Sequence, residues 1–294
     1  MLKPKNIVEP VIKWSGSKRY VAPELSQYIG NAKRYFEPFV GGGSMLPFRK
    51  IEMAVASDII SELINLWHLI KNDPELVAFE YEKRWNLLHT EGHDVYYKIR
   101  DNFNATKNEF DFLFLTRTCA SGLIRYNSNG EFNNSIHKNR PGIHPKTFRE
   151  VVKKWSYFLK GVSFQNTDYR TTLADANAND FVFLDPPYGG TKDRYTKTEF
   201  NLTDFYDELE RLNSVGAKWI LTFDGTAGNR EYSFELPEEL YKHRIALKTG
   251  NSPFTKLMKT NVDAVMESVY FSFLPQSNLS RQFVKQSVQE FEFV

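Results

Sequence analysis

The chain has 294 residues, a formal net charge of +2 and 41% hydrophobic residues, a composition typical of a folded globular protein and not of a disordered or collagen-like one. Residues 1–13 contain no continuous apolar run, and no stretch of about 18 apolar residues occurs anywhere, so neither export nor membrane insertion is supported. The single cysteine, Cys119, excludes an internal disulfide and cannot form a zinc site by itself. We therefore expect a cytoplasmic protein without a metal.

Short β-rich runs alternate with longer amphipathic segments, which predicts a mixed α/β fold. The predicted strands are residues 34–39, 53–58, 162–168, 181–185, 218–224, 244–248 and 268–273. Several of them end in an Asp or in a glycine-rich turn. Open α/β sheets bind ligands just beyond the carboxyl ends of their strands, so we expect the functional site at that edge.

Between residues 72 and 159 the pattern changes to helical periodicity, beginning with the helix-start signal Asn-Asp-Pro-Glu at 72–75. This change predicts an inserted subdomain at 72–159, with residues 1–71 and 160–294 forming one discontinuous domain around the sheet. Inside the insert, an Asn-Gly turn at 129–130 is flanked by Tyr126 and Phe132, as in a β-hairpin. A polar hairpin on a helical insert indicates a reader of a surface or groove.

The most distinctive motif is Asp185-Pro186-Pro187-Tyr188, which follows the apolar run 181–184. An amino group conjugated to a ring, as in adenine, is a poor nucleophile until its lone pair is localised. The Asp185 carboxylate and the Pro186 carbonyl could accept its two hydrogens, while Pro187 stiffens the turn and Tyr188 offers a flat face to the base. Because such a group is inaccessible inside a duplex, the base would have to leave the helix. The alternative is a proline-rich turn that merely ends a strand.

A second motif, Glu-Pro-Phe-Val-Gly-Gly-Gly-Ser at 37–44, also ends a predicted strand. Its glycines would let the backbone approach a ligand closely, but it matches neither the dinucleotide-binding fingerprint nor a phosphate-binding P-loop. Asp58 ends the next strand, where it could bind ribose hydroxyls or cap a helix. A third motif, Lys-Trp-Ser-Gly-Ser-Lys at 13–18, is by itself equally consistent with a turn before a helix.

Together these motifs resemble the Dam-like DNA adenine-N6 methyltransferases of class alpha, which depend on S-adenosylmethionine, and the resemblance covers nearly the whole chain. It implies a Rossmann-like methyltransferase sheet with an inserted, mainly helical target-recognition domain that carries a β-hairpin. It also implies that Asp185 to Tyr188 form the catalytic loop. The residues that the resemblance assigns to the cofactor are Trp14, Gly16, Lys18, Glu37, Pro38, Phe39, Gly41, Gly43, Asp58, Asp168 and Asp185.

In this family the hairpin reads its target in the major groove, and Arg125 falls where an arginine contacts guanine. Basic residues cluster near the start of the chain, between residues 138 and 154, and after the 185–188 motif, as expected for phosphate contacts. Tyr195 and Phe200 resemble an aromatic pair beside the catalytic loop. The predicted DNA contacts are Lys13, Arg117, Ser121, Leu123, Arg125, Asn127, Asn133, Lys138, Arg140, Tyr195 and Lys197.

One departure from the family pattern concerns Ala120-Ser121, which stands where these enzymes usually carry an aromatic residue and Asn. The ring can wedge into the duplex during base flipping, so the sequence predicts adenine methylation but leaves the DNA target open. The resemblance implies a monomer in the cytoplasm of a prokaryote or viral host, acting on double-stranded DNA, with a cognate restriction endonuclease as a possible partner.

Three alternatives remain at the level of sequence. A cytosine-N4 methyltransferase of the same fold usually has Ser in place of Asp185, and an RNA adenine methyltransferase usually has Asn there. The third alternative is a catalytically silent DNA-binding module, against which the intact motif at 185–188 argues.

Overall fold

A computed structural model of the chain describes residues 7–139, 141–187, 200–227, 230–232, 236–251 and 264–275. Its described strands form one mixed sheet. They are β1 Arg34–Glu37, β2 Ala54–Asp58, β3 Val162–Asn166, β4 Asp180–Leu184, β5 Lys218–Ala227, β6 Arg230–Tyr232, β7 His243–Asn251 and β8 Ala264–Phe271. All seven predicted strands are confirmed, with ends shifted by up to four residues, whereas β6 was not predicted.

The strand order is β3-β2-β1-β4-β5-β8-β7, with β6 paired to the far end of β5. The strands β3, β2, β1, β4 and β5 run parallel, and β8 is antiparallel to both of its neighbours. The chain runs outward from β1 to β3 and then returns to place β4 on the other side of β1. Strand order therefore reverses between β1 and β4, the position where α/β sheets form ligand clefts.

Buried side chains alternate between the two faces of the sheet, as the two-residue period of a strand requires. Tyr35, Phe181 and Phe183 belong to one hydrophobic cluster, while Phe36 and Val182 belong to the other. Helices cover both faces. They are α1 Ala22–Leu25, α2 Ser61–Asn72, α3 Pro74–Glu91, α4 Asp94–Thr106, α5 Glu109–Thr118, α6 Pro145–Phe158, α7 Tyr169–Leu173 and α8 Leu202–Ser214.

The predicted helix start at 72–75 is confirmed, because Pro74 opens α3 and the Asp73 carboxylate accepts a hydrogen bond from the Leu76 amide at 3.1 Å. The helices of the insert share one hydrophobic cluster with the sheet and α2. Trp67 of α2, for example, lies with its ring centroid 5.2 Å from that of Trp155 in α6. The domain boundary at 72–159 therefore crosses a continuous core and remains a prediction. Among the described helices, none is long and apolar enough to cross a membrane.

The predicted hairpin is also present. Tyr126 and Phe132 form an antiparallel bridge, and the Asn133 amide donates to the Arg125 carbonyl at 3.0 Å. Gly130 has φ +78°, a conformation that glycine adopts without strain. The Asn127 side chain stabilises the turn by accepting hydrogen bonds from the amides of residues 129 and 131, both at 3.0 Å.

Candidate active site

A cleft of about 700 Å³ opens at the carboxyl ends of β1, β2 and β4, where the strand order reverses. It brings together all three motifs singled out in the sequence. The predicted site residues that line it are Trp14, Gly16, Lys18, Glu37, Pro38, Phe39, Gly41, Asp58, Asp168, Asp185, Pro186, Pro187 and Phe200.

The glycine loop after β1 is pressed against the indole of Trp14. Gly41 has φ +43°, and a Cβ atom there would lie 2.6 Å from Trp14 Nε1. The Gly41 carbonyl accepts a hydrogen bond from Trp67 Nε1 at 3.0 Å, which fixes the loop from the other side. Gly43 has φ +62° but does not line the cleft, because its α-carbon faces the Trp67 ring. Gly43 therefore shapes the turn itself, and its contact with the cofactor stays a prediction.

Asp58 joins the glycine loop to the helix that follows β2. Its two carboxylate oxygens accept hydrogen bonds from the Gly41 amide at 3.1 Å and the Ile60 amide at 3.2 Å. Burial raises the pKa of Asp58 to about 6, against the opposing effect of these two bonds. Each carboxylate oxygen can accept a second bond, so support of the loop and binding of a hydroxyl are compatible roles.

Glu37 lies at the base of the cleft and is only 3% exposed. Burial raises its pKa to about 8, although the hydrogen bond that it accepts from the Tyr35 hydroxyl at 2.9 Å acts in the opposite direction. The negative charge of Asp185 raises this pKa further. Glu37 is therefore mostly protonated at neutral pH.

The rim of the cleft is formed by α7 and α8. The Asp168 carboxylate caps α7 by accepting from the Arg170 amide at 3.0 Å, and it pairs with the Arg170 guanidinium at 2.8 Å. Arg170 also pairs with Asp204 of α8 at 2.9 Å. Below this ion-pair network, the ring of Phe39 packs against Tyr169 at a centroid distance of 5.3 Å.

Asp185 is held from two sides by donors to the same oxygen. Lys18 Nζ lies 2.7 Å from Oδ1, and the Thr222 hydroxyl donates to Oδ1 at 2.9 Å. Lys18 Nζ also lies 2.7 Å from a carboxylate oxygen of Glu267, a residue that is 5% exposed. Burial raises the pKa of Asp185, the positive charge of Lys18 lowers it, and the negative charge of Glu267 raises it. Tyr188, the last residue of the motif, lies outside the described residues.

Arg117 requires a correction, because it is 0% exposed and cannot reach DNA in this structure. Its guanidinium donates to the carbonyls of Pro10 at 2.7 Å and Val11 at 2.6 Å, which ties the insert to the segment that enters the cleft. Lys13 follows in that segment; it is half-buried, and its ammonium donates to the Arg117 carbonyl at 3.4 Å.

The remaining predicted DNA contacts that the structure describes lie on or near the hairpin. Arg125 is exposed and donates from Nε to the side-chain oxygen of Asn133 at 2.8 Å. Lys138 is exposed and Leu123 is half-buried. Gly122, at the base of the hairpin, lies against the Lys13 side chain, so the hairpin begins beside the cleft. Arg140, Tyr195, Lys197 and the side chain of Ser121 lie outside the described part of the structure.

Several site residues were missed from the sequence. Thr222 and Glu267 contact the Asp185–Lys18 pair, and Arg170 and Asp204 form the rim. Glu267 had a usable signal, since it is the only charged residue in the sequence of β8. Arg170 and Asp204 had none, because charged residues on exposed helices are ordinary. Within the described ranges, no group of three or more His, Cys, Asp or Glu side chains could hold a metal ion.

The parallel part of the sheet with its reversal at β1 and β4, and the cleft that unites a glycine loop with Asp185, Pro186 and Pro187, define a Rossmann-like methyltransferase. Residues 14–259 match the family model of the D12 class N6 adenine-specific DNA methyltransferases. The chain belongs to this family. This result selects adenine over the cytosine and RNA alternatives and confirms the resemblance to Dam-like enzymes.

Individual relatives agree with this assignment. The chain is 33% identical over 259 residues to the type II methyltransferase M.MjaIII of Methanocaldococcus jannaschii, a match that covers 73% of this chain and 84% of the relative. It is 27% identical over 291 residues to the type II methyltransferase M1.LlaDCHI of Lactococcus lactis, covering 88% and 97%. A DNA adenine methylase of Vibrio cholerae is 29% identical over 181 residues, covering 60% and 64%.

Proposed function

We propose that this DNA adenine-N6 methyltransferase binds S-adenosylmethionine in the cleft and receives a flipped-out adenine of duplex DNA at Asp185 and Pro186. One observation carries the proposal: a single cleft is lined both by the glycine loop with Asp58 and by Asp185 with the prolines that follow it. A donor held by the first set of residues and a base held by the second would lie within one enclosed space.

The cleft fits the proposed cofactor in size, charge and shape. Its volume of about 700 Å³ falls within the range of ligand pockets. Besides Glu37, which is mostly protonated, four carboxylates and two cations line it, so it favours a ligand with net positive charge; they are Asp58, Asp168, Asp185, Asp204, Lys18 and Arg170. Phe39, Tyr169 and Phe200 offer aromatic faces to an adenine ring. S-adenosylmethionine supplies an electrophilic methyl group when bound.

The chain's own contribution to the reaction is to orient the amino group of the base. The contacts of Asp185 with Lys18 Nζ and with the Thr222 hydroxyl both use Oδ1. The Asp185 side chain is 23% exposed, so Oδ2 can accept one N6 hydrogen of the base. The Pro186 carbonyl accepts the other, and together they direct the nitrogen lone pair out of the ring toward the methyl donor. The base must leave the stack to reach this position.

Recognition of the DNA target is assigned to the hairpin. Arg125 is exposed, and its contact with Asn133 orders the guanidinium, as a bidentate contact with guanine would require. Exposed Lys138 would bind phosphate. Because Ala120 replaces the usual ring, we leave the target sequence open. Since two of the relatives are named type II methyltransferases, we also propose a cognate restriction endonuclease as a partner.

Calorimetric titration tests the cofactor assignment directly. We expect S-adenosylmethionine to bind the protein in the absence of DNA, and Asp58→Ala to weaken that binding by about tenfold or more, the effect of losing one or two charge-assisted hydrogen bonds. Asp185→Ala should retain binding of duplex DNA and lose methyl transfer by about 100-fold or more. Full transfer by Asp185→Ala would refute the assignment of this residue.

A further inference from the structure

The environment of Asp185 contains an arrangement that substrate binding alone does not require. Lys18 and Glu267 are each 5% exposed, and Lys18 Nζ lies 2.7 Å from both Asp185 Oδ1 and Glu267 Oε1. The same ammonium lies 3.2 Å from the Gly16 carbonyl. One buried positive charge is thus shared between the buried carboxylate of Glu267 on β8 and the partly exposed carboxylate of Asp185 in the turn after β4.

Such an arrangement is costly to build unless its charges are balanced, because burial penalises every ion that lacks a partner. With Lys18 alone, the whole ammonium charge would act on Asp185 and weaken it as a hydrogen-bond acceptor. With Glu267 alone, two carboxylates would share a site, and one of them would take up a proton. The shared ammonium avoids both outcomes.

We propose that Lys18 and Glu267 are positioning residues that hold Asp185 by Oδ1 and keep it an ionised acceptor for the amino group of the base. This inference rests on the role of Asp185 in the proposed function. It reassigns Lys18 from the cofactor to the catalytic aspartate, and it gives a role to Glu267, which no sequence motif had included. Thr222 assists by donating to the same oxygen at 2.9 Å.

The pH dependence of methyl transfer distinguishes this charge balance from simple packing. Among the described residues, the charged or titratable groups that act on Asp185 include Lys18 before α1, Glu37 on β1 and Glu267 on β8. Loss of the Lys18 charge raises the pKa of Asp185, so the acid limb of the rate profile moves to higher pH. Loss of the Glu267 charge lowers this pKa and moves the limb to lower pH.

The experiment compares three variants, Lys18→Met, Glu267→Gln and the double variant, by single-turnover methyl transfer to duplex DNA at a series of pH values. Lys18→Met should lose about 100-fold in rate at neutral pH and recover as the pH rises. The double variant removes one positive and one negative charge, so it should be faster than Lys18→Met, with its acid limb near that of the native enzyme. Apparent affinities for cofactor and DNA should change by less than the rate does.

Glu208→Gln is the matched control, because Glu208 is also buried and paired with a cation, Arg211 at 2.7 Å, but does not line the cleft. It should leave the acid limb in place. Identical acid limbs in the native enzyme and Glu267→Gln would overturn the proposal, as would a double variant slower than folded Lys18→Met. If Lys18→Met fails to fold, the shift in Glu267→Gln decides the matter. Failure of the proposed function itself would show separately, as unimpaired transfer by Asp185→Ala.

Discussion

Replacing Gly41 with Ala should damage both the stability of the protein and its cofactor cleft. The φ of +43° at Gly41 disfavours any residue with a Cβ atom, at a cost of about 1–2 kcal/mol. The new methyl group would also lie 2.6 Å from Trp14 Nε1 and 2.9 Å from its Cδ1, which requires the indole to move. Overpacking of this kind costs a further 1–3 kcal/mol, roughly. We expect the free energy of unfolding to fall by about 2–5 kcal/mol.

A substitution at a second glycine distinguishes the cost of backbone strain from the cost of the steric clash with Trp14. Gly92, after α3, has φ +88°, and a Cβ atom there would meet nothing within 4 Å. Gly92→Ala should therefore cost only backbone strain, about 1–3 kcal/mol because φ +88° with ψ −171° is a conformation nearly confined to glycine, and leave cofactor binding unchanged. Urea denaturation monitored by tryptophan fluorescence, with calorimetric titration of S-adenosylmethionine, measures both effects. If Gly41→Ala were no less stable than Gly92→Ala and bound cofactor normally, the close packing of Trp14 on the glycine loop would be refuted.

The other predictions concern a buried acid, a buried ion pair and the DNA surface. Because burial raises the pKa of Glu37 from 4.5 to about 8, the folded protein holds a proton that the unfolded chain releases as the pH rises. The free energy of unfolding should therefore fall by about 3 kcal/mol between about pH 5 and pH 8. Denaturation curves measured across that pH range should show no such fall for Glu37→Gln. Arg34→Ala removes the guanidinium that lies 2.7 Å from the Asp180 carboxylate, whose side chain is 1% exposed. Urea denaturation should show that the free energy of unfolding falls by about 3 kcal/mol, and a fall below about 0.5 kcal/mol would contradict this. Arg125→Ala should relax discrimination at one base pair by about 1–3 kcal/mol. Lys138→Ala should weaken binding to all DNA sequences alike, and the number of ions released on binding, read from the salt dependence of the affinity, should fall by about one. Equal effects of the two changes on specificity would refute the assignment of Arg125.

Seven of the eight described strands and the cleft could be predicted from the sequence, because each of those strands carries its own β-rich run and the two main motifs follow strand ends directly. The carboxyl ends of β1, β2 and β4 meet at one edge of a parallel sheet, so Gly41, Asp58 and Asp185 had to converge. The start of α3 was predictable for a similar reason, since Asp73 and Pro74 act on their own helix. Local chemistry determined these features.

Features that depend on distant partners could not be predicted in this way. Arg117 looked like one more basic residue near the hairpin, but its guanidinium is buried against the carbonyls of a segment more than 100 positions earlier in the chain. Lys18 shares its motif with Trp14, yet its partners are on the turn after β4 and on β8. Only the tertiary structure shows which charges meet.

The identity of the methylated base tests the central claim most directly. The protein is incubated with radiolabelled S-adenosylmethionine and duplex DNA of varied sequence, and the DNA is then hydrolysed and its bases separated. We expect label in N6-methyladenine alone, at a fixed short sequence, and its loss in Asp185→Ala. Label in N4-methylcytosine, or equal label with Asp185→Ala, would contradict the account.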